Sequence, residues 1–189
     1  MTWELPTALT VNGTERPINS DFRDVLTILE AYDDPDLEPS EKVYVCLAVL
    51  YADFEDMPRE DYGDAYEQAT WFLDGGNDRA SESRKKARTV DWVQDTPILF
   101  PSVNQSAGFE VRSVDYMHWW TFLGYFMEMQ KSTYATVLSL RDKKARGKKL
   151  EKWEQEFWSA HKDLCVIRPK LTAEEKEEKE RLLAILDNL

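Results

Sequence analysis

The chain has 189 residues, of which 42% are hydrophobic, and it carries a formal net charge of −12 at pH 7. This length is typical of one domain with a sizeable hydrophobic core, and the negative charge argues against duplex nucleic acid as a partner, because phosphate would repel it. Only seven glycines and eight prolines are available for turns, which argues against a many-stranded β fold.

The N-terminal region predicts a short β-hairpin followed by a helix. Asn12-Gly13 favours positive φ at both turn positions, which indicates a hairpin over about residues 8–18. Asn19 or Ser20 then precedes a helix predicted over 21–31, whose first amides either side chain is able to cap. The inner face of that helix is predicted to comprise Phe22, Val25, Leu26 and Leu29.

Two further helices are predicted before residue 78. The segment 41–52 has the length and the start of a helix, although its apolar run over 43–50 is also compatible with a buried strand. The segment 60–74 places its apolar side chains on one face, and Gly75-Gly76 ends it. The polar and basic stretch over about 77–90 is predicted to be a flexible connection.

Two helices are predicted over the middle of the chain. The first covers about 95–108 and is expected to be short or irregular, because Pro101 lies inside it. The second covers 114–130 and is apolar on nearly every face, which is typical of a helix at the centre of a domain or in an assembly contact. Ser113 and Asp115 are its predicted capping residues.

The remaining sequence predicts a long helix over 133–162, with Gly147 as its weak point. A capping box over 172–175 then starts a final helix over about 173–187. The complete pattern predicts an all-α fold: a single compact multi-helix domain with a short N-terminal β-hairpin.

Charge is distributed unevenly along this predicted bundle. Acidic residues dominate 1–78, and basic residues dominate 79–170. This asymmetry favours either internal pairing of the two regions or electrostatic selection between subunits. The basic run over 141–149 has three interpretations: contact with nucleic acid, a solvated helix face, and docking of an acidic partner surface. On a long helix the solvated face is the usual one.

The candidate chemical groups each have a structural interpretation. His118 is a possible general base or zinc ligand, but His161 is the other histidine of the chain and neither stands in a metal-binding spacing. The structural interpretation places His118 in a partly buried position, hydrogen-bonded to a neighbouring helix, with Asp115 one turn earlier as the candidate partner. Asp91 and Asp95 are a possible acid–base pair, but helix capping explains Asp95. We therefore expect no catalytic residue, no metal and no cofactor.

Two adjacent tryptophans, Trp119 and Trp120, are the most unusual feature of the composition. Their rings would suit stacking on bases, yet the acidic balance favours a role in the core or in an interface. Cys46 and Cys165 are expected to be free, buried thiols of a reducing cytosol. The N-terminal residues lack the pattern of a signal peptide, and no apolar run approaches a membrane span, so a cytosolic protein without membrane contact is expected.

Taken in order, two motifs resemble a known family. The first is Asn12-Gly13 followed by Ile18-Asn19-Ser20-Asp21-Phe22-Arg23, and the second is Asp115-Tyr116-Met117-His118-Trp119-Trp120-Thr121-Phe122, with Asp91 and Asp95 between them. The chain is similar over about residues 8–165 to phage proteins encoded between the major tail protein and the tape measure protein of long-tailed phages.

This resemblance implies a non-enzymatic tail assembly chaperone that binds the tape measure protein in the host cytoplasm and is absent from the mature virion. It implies the major tail protein, a companion chaperone and further copies of the chain as additional candidate partners. A structural tail or connector component is the alternative. Phe22 and Phe122 are expected in the core, and the Trp pair in the core or at the partner surface. The predicted partner-binding residues are Trp119, Trp120, Tyr125, Met127, Met129, Lys143, Lys144, Lys148 and Lys149; for the aromatic and methionine side chains among them, simple core filling is the competing interpretation.

Overall fold

The computed structural model describes residues 4–77, 88–129 and 131–186, and it begins with the predicted hairpin. Strands β1 (Ala8–Val11) and β2 (Thr14–Pro17) pair antiparallel. The turn residues Asn12 and Gly13 have φ angles of 46° and 82°, as a two-residue turn of this type requires. The hairpin is therefore specified by local sequence.

Helices make up most of the rest of the described chain, which confirms the all-α prediction with its N-terminal hairpin. In chain order they are α1 (Phe22–Tyr32), α2 (Pro39–Leu50), α3 (Tyr62–Leu73), α4 (Thr96–Ala107), α5 (Trp119–Glu128), α6 (Thr133–Ala145), α7 (Lys152–Ala160), α8 (Lys162–Cys165) and α9 (Ala173–Leu186).

One hydrophobic core joins the hairpin to the first helices. Helix α1 packs against α2 and α5, α2 packs against α3, and α3 contacts β1. Phe22 lies at the centre, where its ring stacks on Phe122 with centroids 4.6 Å apart and meets Phe100 edge-on. All three rings are buried, so α1, α4 and α5 share one aromatic cluster. The segment over 43–50 is helical within α2, as predicted.

The helix predicted over 114–130 is shorter than expected. It begins at Trp119 and ends at Glu128, and His118, rather than Ser113 or Asp115, is its N-cap residue. Residues 111–113 form a 3-10 turn instead. The next residues are extended because they pair with the N-terminal region: the Phe22 amide donates to the Met117 carbonyl over 2.9 Å. Long-range pairing thus overrides the local helical pattern.

The prediction of one long helix over 133–162 is wrong. The chain breaks after α6, where Gly147 takes a φ of 67°, and α7 restarts at a second capping box formed by Glu151 and Glu154. Leu150 is buried between the two helices. The break allows α7 and α8 to fold back towards α6, rather than to continue away from the domain.

The prediction that the helix around Pro101 is short or irregular is also corrected. Helix α4 continues through Pro101 to Ala107 and ends at Gly108, which has a φ of 80°. The proline lies in the second turn, and the glycine provides the left-handed C-terminal residue that many helices use.

The predicted capping box of the C-terminal helix is confirmed. The Glu175 amide donates to the Thr172 hydroxyl, and the Thr172 amide donates to the Glu175 carboxylate. These reciprocal bonds start α9. Most of the connection predicted over about 77–90 falls on residues 78–87, which lie outside the described residues. Cys46 and Cys165 are free and buried. Within the described ranges, no helix combines the length and apolarity that a membrane crossing requires.

Candidate functional site

The two sequence motifs meet in the folded chain, and we call this contact the signature junction (residues 18–23 against 115–122). The Trp119 amide donates to the Ser20 carbonyl over 2.7 Å. The Asp21 carboxylate accepts the Arg23 amide and caps α1, while its second oxygen accepts the Met117 amide over 2.9 Å. One carboxylate therefore both starts a helix and holds a segment 96 residues away.

Arg23 secures the same junction from its outer side. Its guanidinium donates to both oxygens of Asp21 and to the backbone carbonyls of Arg112 and Val114. It also lies over the Phe22 ring, 4.6 Å from the ring centroid. Four directed hydrogen bonds suit a guanidinium and not an ammonium, which has three donors, so the Asp-Phe-Arg part of the motif has a structural explanation.

His118 fills a structural position in this junction. Its Nδ1 accepts the Trp120 amide and caps α5, and its Nε2 lies 2.9 Å from the Pro6 carbonyl. Because Nδ1 is an acceptor, the ring hydrogen is on Nε2, which donates to Pro6. The predicted hydrogen bond to Asp115 is wrong: Asp115 is exposed, whereas His118 is 3% exposed.

The adjacent tryptophans bind the end of another helix. The Trp119 indole N–H donates to the Leu73 carbonyl over 2.9 Å, and that of Trp120 donates to the Phe72 carbonyl over 2.8 Å. A helix leaves its last four carbonyls without intrahelical partners. Here the remaining two are taken by the amides that follow α3, Asp74 to Thr70 and Gly76 to Trp71. The Trp pair thus completes the C-terminal cap of α3.

Gly76 allows this close approach, and we expect Gly76→Ala to destabilise the protein. Its φ is 78°, and an added Cβ would lie 2.8 Å from the Trp120 ring. The strain should lower the free energy of unfolding by more than about 1 kcal/mol. Gly124→Ala is the matched control, because Gly124 lies within α5 with open space at its Cβ position. That substitution should raise the free energy of unfolding by up to about 1 kcal/mol. Urea denaturation measures both changes, and equal effects would contradict this account.

A second cluster surrounds Asp91 and Asp95. Asp95 is 2% exposed and binds Arg141 through both carboxylate oxygens, over 2.7 and 2.8 Å. It also accepts the Tyr134 hydroxyl and the Asp91 amide. Burial raises the pKa of Tyr134, so its hydroxyl stays protonated and donates. Asp95 is the N-cap residue of α4, as predicted, but its side chain makes no hydrogen bond to the first amides of that helix.

The other hydrogen bonds of the Arg141 guanidinium go to backbone carbonyls. The acceptors are the carbonyl oxygens of Thr89, Leu164 and Cys165, over 2.6 to 3.1 Å. The guanidinium therefore joins α6, α8 and the segment before α4. Asp91 has a separate task, since it accepts the Val93 and Gln94 amides and pairs with Arg88. Both aspartates thus have structural contacts.

The predicted partner-binding residues divide into buried and accessible groups. Trp119 and Met129 are 2% and 6% exposed, so the expectation that Met129 lies at the surface is corrected. Trp120 and Tyr125 are half-buried, and Met127 is 67% exposed. Phe109, 41% exposed, meets Tyr125 edge-on. We call Phe109, Tyr125 and Met127 the α5 end.

The predicted basic face is divided in a similar way. Lys143 pairs with the Glu154 carboxylate of α7, and Lys144 lies 4.2 Å from the centroid of the Trp158 ring. The hydrogen bond from Lys143 lowers the pKa of Glu154. Lys144, Arg146, Lys148 and Lys149 are exposed, and Lys148 and Lys149 lie in the connection that follows Gly147. The run is therefore not one continuous helix face.

This division changes the expected result of charge reversal. Lys143→Glu places a second carboxylate beside Glu154, whose side chain is 3% exposed, so we expect a lower melting temperature and weaker docking of α7. Lys148→Glu is the matched control and should leave the melting temperature unchanged, as exposed substitutions usually do. Thermal unfolding followed by circular dichroism measures both. Similar melting temperatures for the two variants would show that the pair with Glu154 contributes nothing.

One surface feature was not predicted from the sequence, and we call it the aromatic strip (Tyr44, Phe54 and Tyr62). Phe54 meets Tyr44 edge-on at 5.2 Å and packs beside Tyr62 at 5.3 Å between centroids. Tyr44 is 57% exposed. Its position inside the apolar run of α2 was the available signal, because an exposed aromatic there lies outside the buried face.

Within the described residues, no group of three or more histidine, cysteine, aspartate or glutamate side chains is placed to hold a metal ion. A shallow groove between α4 and the end of α5 is lined mainly by polar side chains, including Ser102, Gln105 and Lys131. Accessible features of the described surface include the α5 end, the aromatic strip and the exposed lysines. Exposed apolar and charged side chains of this kind occur at contacts with other macromolecules.

Comparison with known proteins supports the phage origin that the two motifs implied. The family described as Bacteriophage Gp15 protein matches residues 1–165, and the chain belongs to this family. The matched region ends at Cys165 and so includes the signature junction and every contact of Arg141, whereas α9 lies beyond it. No curated protein and no solved structure matched the chain.

Proposed function

We propose that this phage protein is a tail assembly chaperone that binds the tape measure protein and keeps it soluble until the tail tube polymerises. The observation that carries the proposal is the α5 end: exposed Met127 and half-buried Tyr125 lie on a helix whose start is fixed by His118 and the Trp pair, and exposed Phe109 packs against Tyr125. Membership in a phage family supports the setting. The order of the two motifs, similar to proteins encoded beside the tape measure gene, supports the client.

The chemistry of the α5 end suits a long helical client. Met127 is flexible and polarizable, and such side chains adapt to irregular apolar partners. Phe109 and Tyr125 form an aromatic pair, and Tyr125 stands two residues before Met127 on α5. An amphipathic helix lays its apolar face into a surface of this kind. Each contact would be small, so tube subunits would be able to displace successive copies of the chaperone.

Co-expression tests the proposal. The tape measure protein of the same phage should be more soluble when this chain is present, and the two should co-purify. Met127→Glu should reduce the co-purified fraction about fivefold or more, as expected for loss of a contact worth more than about 1 kcal/mol. Val93→Glu is the matched control, because Val93 is also half-exposed but lies before α4.

Unchanged solubility of the tape measure protein would reject the chaperone role. Mass spectrometry of washed virions tests the alternative at the same time. A chaperone should be absent from them, whereas a structural tail component would be present at a fixed copy number.

A further inference from the structure

The aromatic strip lies in a strongly acidic stretch of the chain. Carboxylates between residues 53 and 67 greatly outnumber the single basic side chain, Arg59, and comprise Asp53, Glu55, Asp56, Glu60, Asp61, Asp64 and Glu67. Asp53 and Asp61 are held by Arg16. Glu55, Asp56 and Glu60 are exposed beside the strip in sequence. The surface therefore offers both π faces and carboxylates, two features that attract an ammonium group.

A surface with basic side chains follows helix α6, and we call it the basic loop (Lys148, Lys149, Lys152 and Trp153). All four residues are exposed. Trp153 is 54% exposed, with its indole N–H donating to Glu151 of the same turn. Gly147 and the capping box of α7 hold Lys148 and Lys149 between two helices, and Lys152 and Trp153 belong to the first turn of α7. An ordered, exposed Trp beside three lysines is typical of an interface anchor.

We propose that copies of this chain associate head to tail, with the basic loop of one copy on the aromatic strip of the next. The two surfaces match in both respects: lysines face carboxylates and tyrosine rings, and Trp153 adds an apolar contact to the strip. Charge complementarity of this kind selects the partner and its orientation. The second copy is favoured as occupant because its basic loop is the surface of matching chemistry on the described chain.

The geometry of such a contact has a direct consequence. A contact between two different surfaces continues from one copy to the next. It closes into a ring, or it leaves one surface of each kind free at the ends of an open chain, rather than forming a closed pair. A row of copies would present the α5 end repeatedly. The association itself needs no client, so it goes beyond the proposed function and is tested without the tape measure protein.

Sedimentation velocity over a series of protein concentrations tests the proposal at about 0.1 M and about 1 M salt, between which the Debye length falls from about 10 Å to about 3 Å. At low salt the sedimentation coefficient should rise with concentration. At high salt the rise should be strongly reduced. A wild-type protein that remains monomeric at low salt throughout the series would overturn the proposal.

Charge-reversed variants identify the two surfaces. Lys148→Glu combined with Lys149→Glu alters the basic loop, and Glu55→Lys combined with Asp56→Lys alters the strip. Each double variant alone should lose the concentration dependence, and an equimolar mixture should regain it, because the reversed surfaces complement each other. Lys176→Glu combined with Lys179→Glu on exposed α9 is the charge-matched control and should behave as the wild type.

Circular dichroism checks that each variant is folded. If both double variants are folded and associate as the wild type does, the contact lies elsewhere and the proposal is wrong. If the strip variant instead loses co-purification with the tape measure protein while the wild type is monomeric, the strip binds the client, and the proposal is again wrong.

Discussion

Replacing Arg141 with methionine should lower the free energy of unfolding by about 3–5 kcal/mol, the usual effect of removing one partner of a buried ion pair. The Arg141 and Asp95 side chains are 4% and 2% exposed. Without the guanidinium, the Asp95 carboxylate keeps a buried charge with only the Tyr134 hydroxyl and the Asp91 amide as donors. The carbonyls of Thr89, Leu164 and Cys165 lose a donor as well.

Arg146→Met is the matched control for this prediction. Arg146 lies on the same helix turn as Asp142, its ion-pair partner, but its side chain is 62% exposed, so the loss should be about 0.5 kcal/mol or less. Arg141→Lys should fall between the two, because an ammonium cannot replace the bidentate contact. Urea denaturation followed by tryptophan fluorescence gives all three values. An effect of Arg141→Met no larger than that of Arg146→Met would remove the buried pair from the account of stability.

The second large effect is expected at Trp119. Trp119→Ala should lower the free energy of unfolding by about 3–5 kcal/mol, because it removes a buried ring from the core. The ring is 2% exposed, stacks near Phe122 and meets Trp92 edge-on. Trp119→Phe retains a ring but leaves the Leu73 carbonyl without its indole donor, which should lower the free energy of unfolding by about 1–3 kcal/mol.

Trp153→Ala controls for loss of a tryptophan as such. Because Trp153 is 54% exposed, its replacement should change the free energy of unfolding by no more than about 0.5 kcal/mol. The comparison is made under conditions in which the protein is monomeric, since Trp153 belongs to the proposed contact between copies. Comparable losses for Trp119→Ala and Trp153→Ala would contradict the assignment of Trp119 to the core.

Local signals in the sequence were sufficient for several elements. Asn12-Gly13 sets its own turn, Gly75-Gly76 ends α3, and the reciprocal bonds of Thr172 with Glu175 start α9. In each case the residues that determine the conformation lie within a few positions of one another. Their physical preferences act before any tertiary contact exists, which is why pattern and propensity predicted them.

Other elements depend on partners that sequence spacing does not reveal. Asp115 is an ordinary helix cap in isolation, yet pairing of the Trp119 amide with the Ser20 carbonyl delays the helix and gives that position to His118. The role of Asp95 depends on Arg141, 46 residues later. The break between α6 and α7 had a readable signal in the Glu151–Glu154 capping box, but the surrounding polar residues continue the helical pattern across it.

The signature junction also determines when the chain is able to fold during its synthesis. The N-terminal residues emerge from the ribosome first, but the cap of α3, the pairing partner of Asp21 and the donor to the Pro6 carbonyl are all supplied by residues 117–120. This part of the core therefore completes only after residues 117–120 have been made. Non-local closure of this kind is slow. A product that ends before Met117 would expose the apolar faces of α1 and α3 and would be a substrate for host proteases.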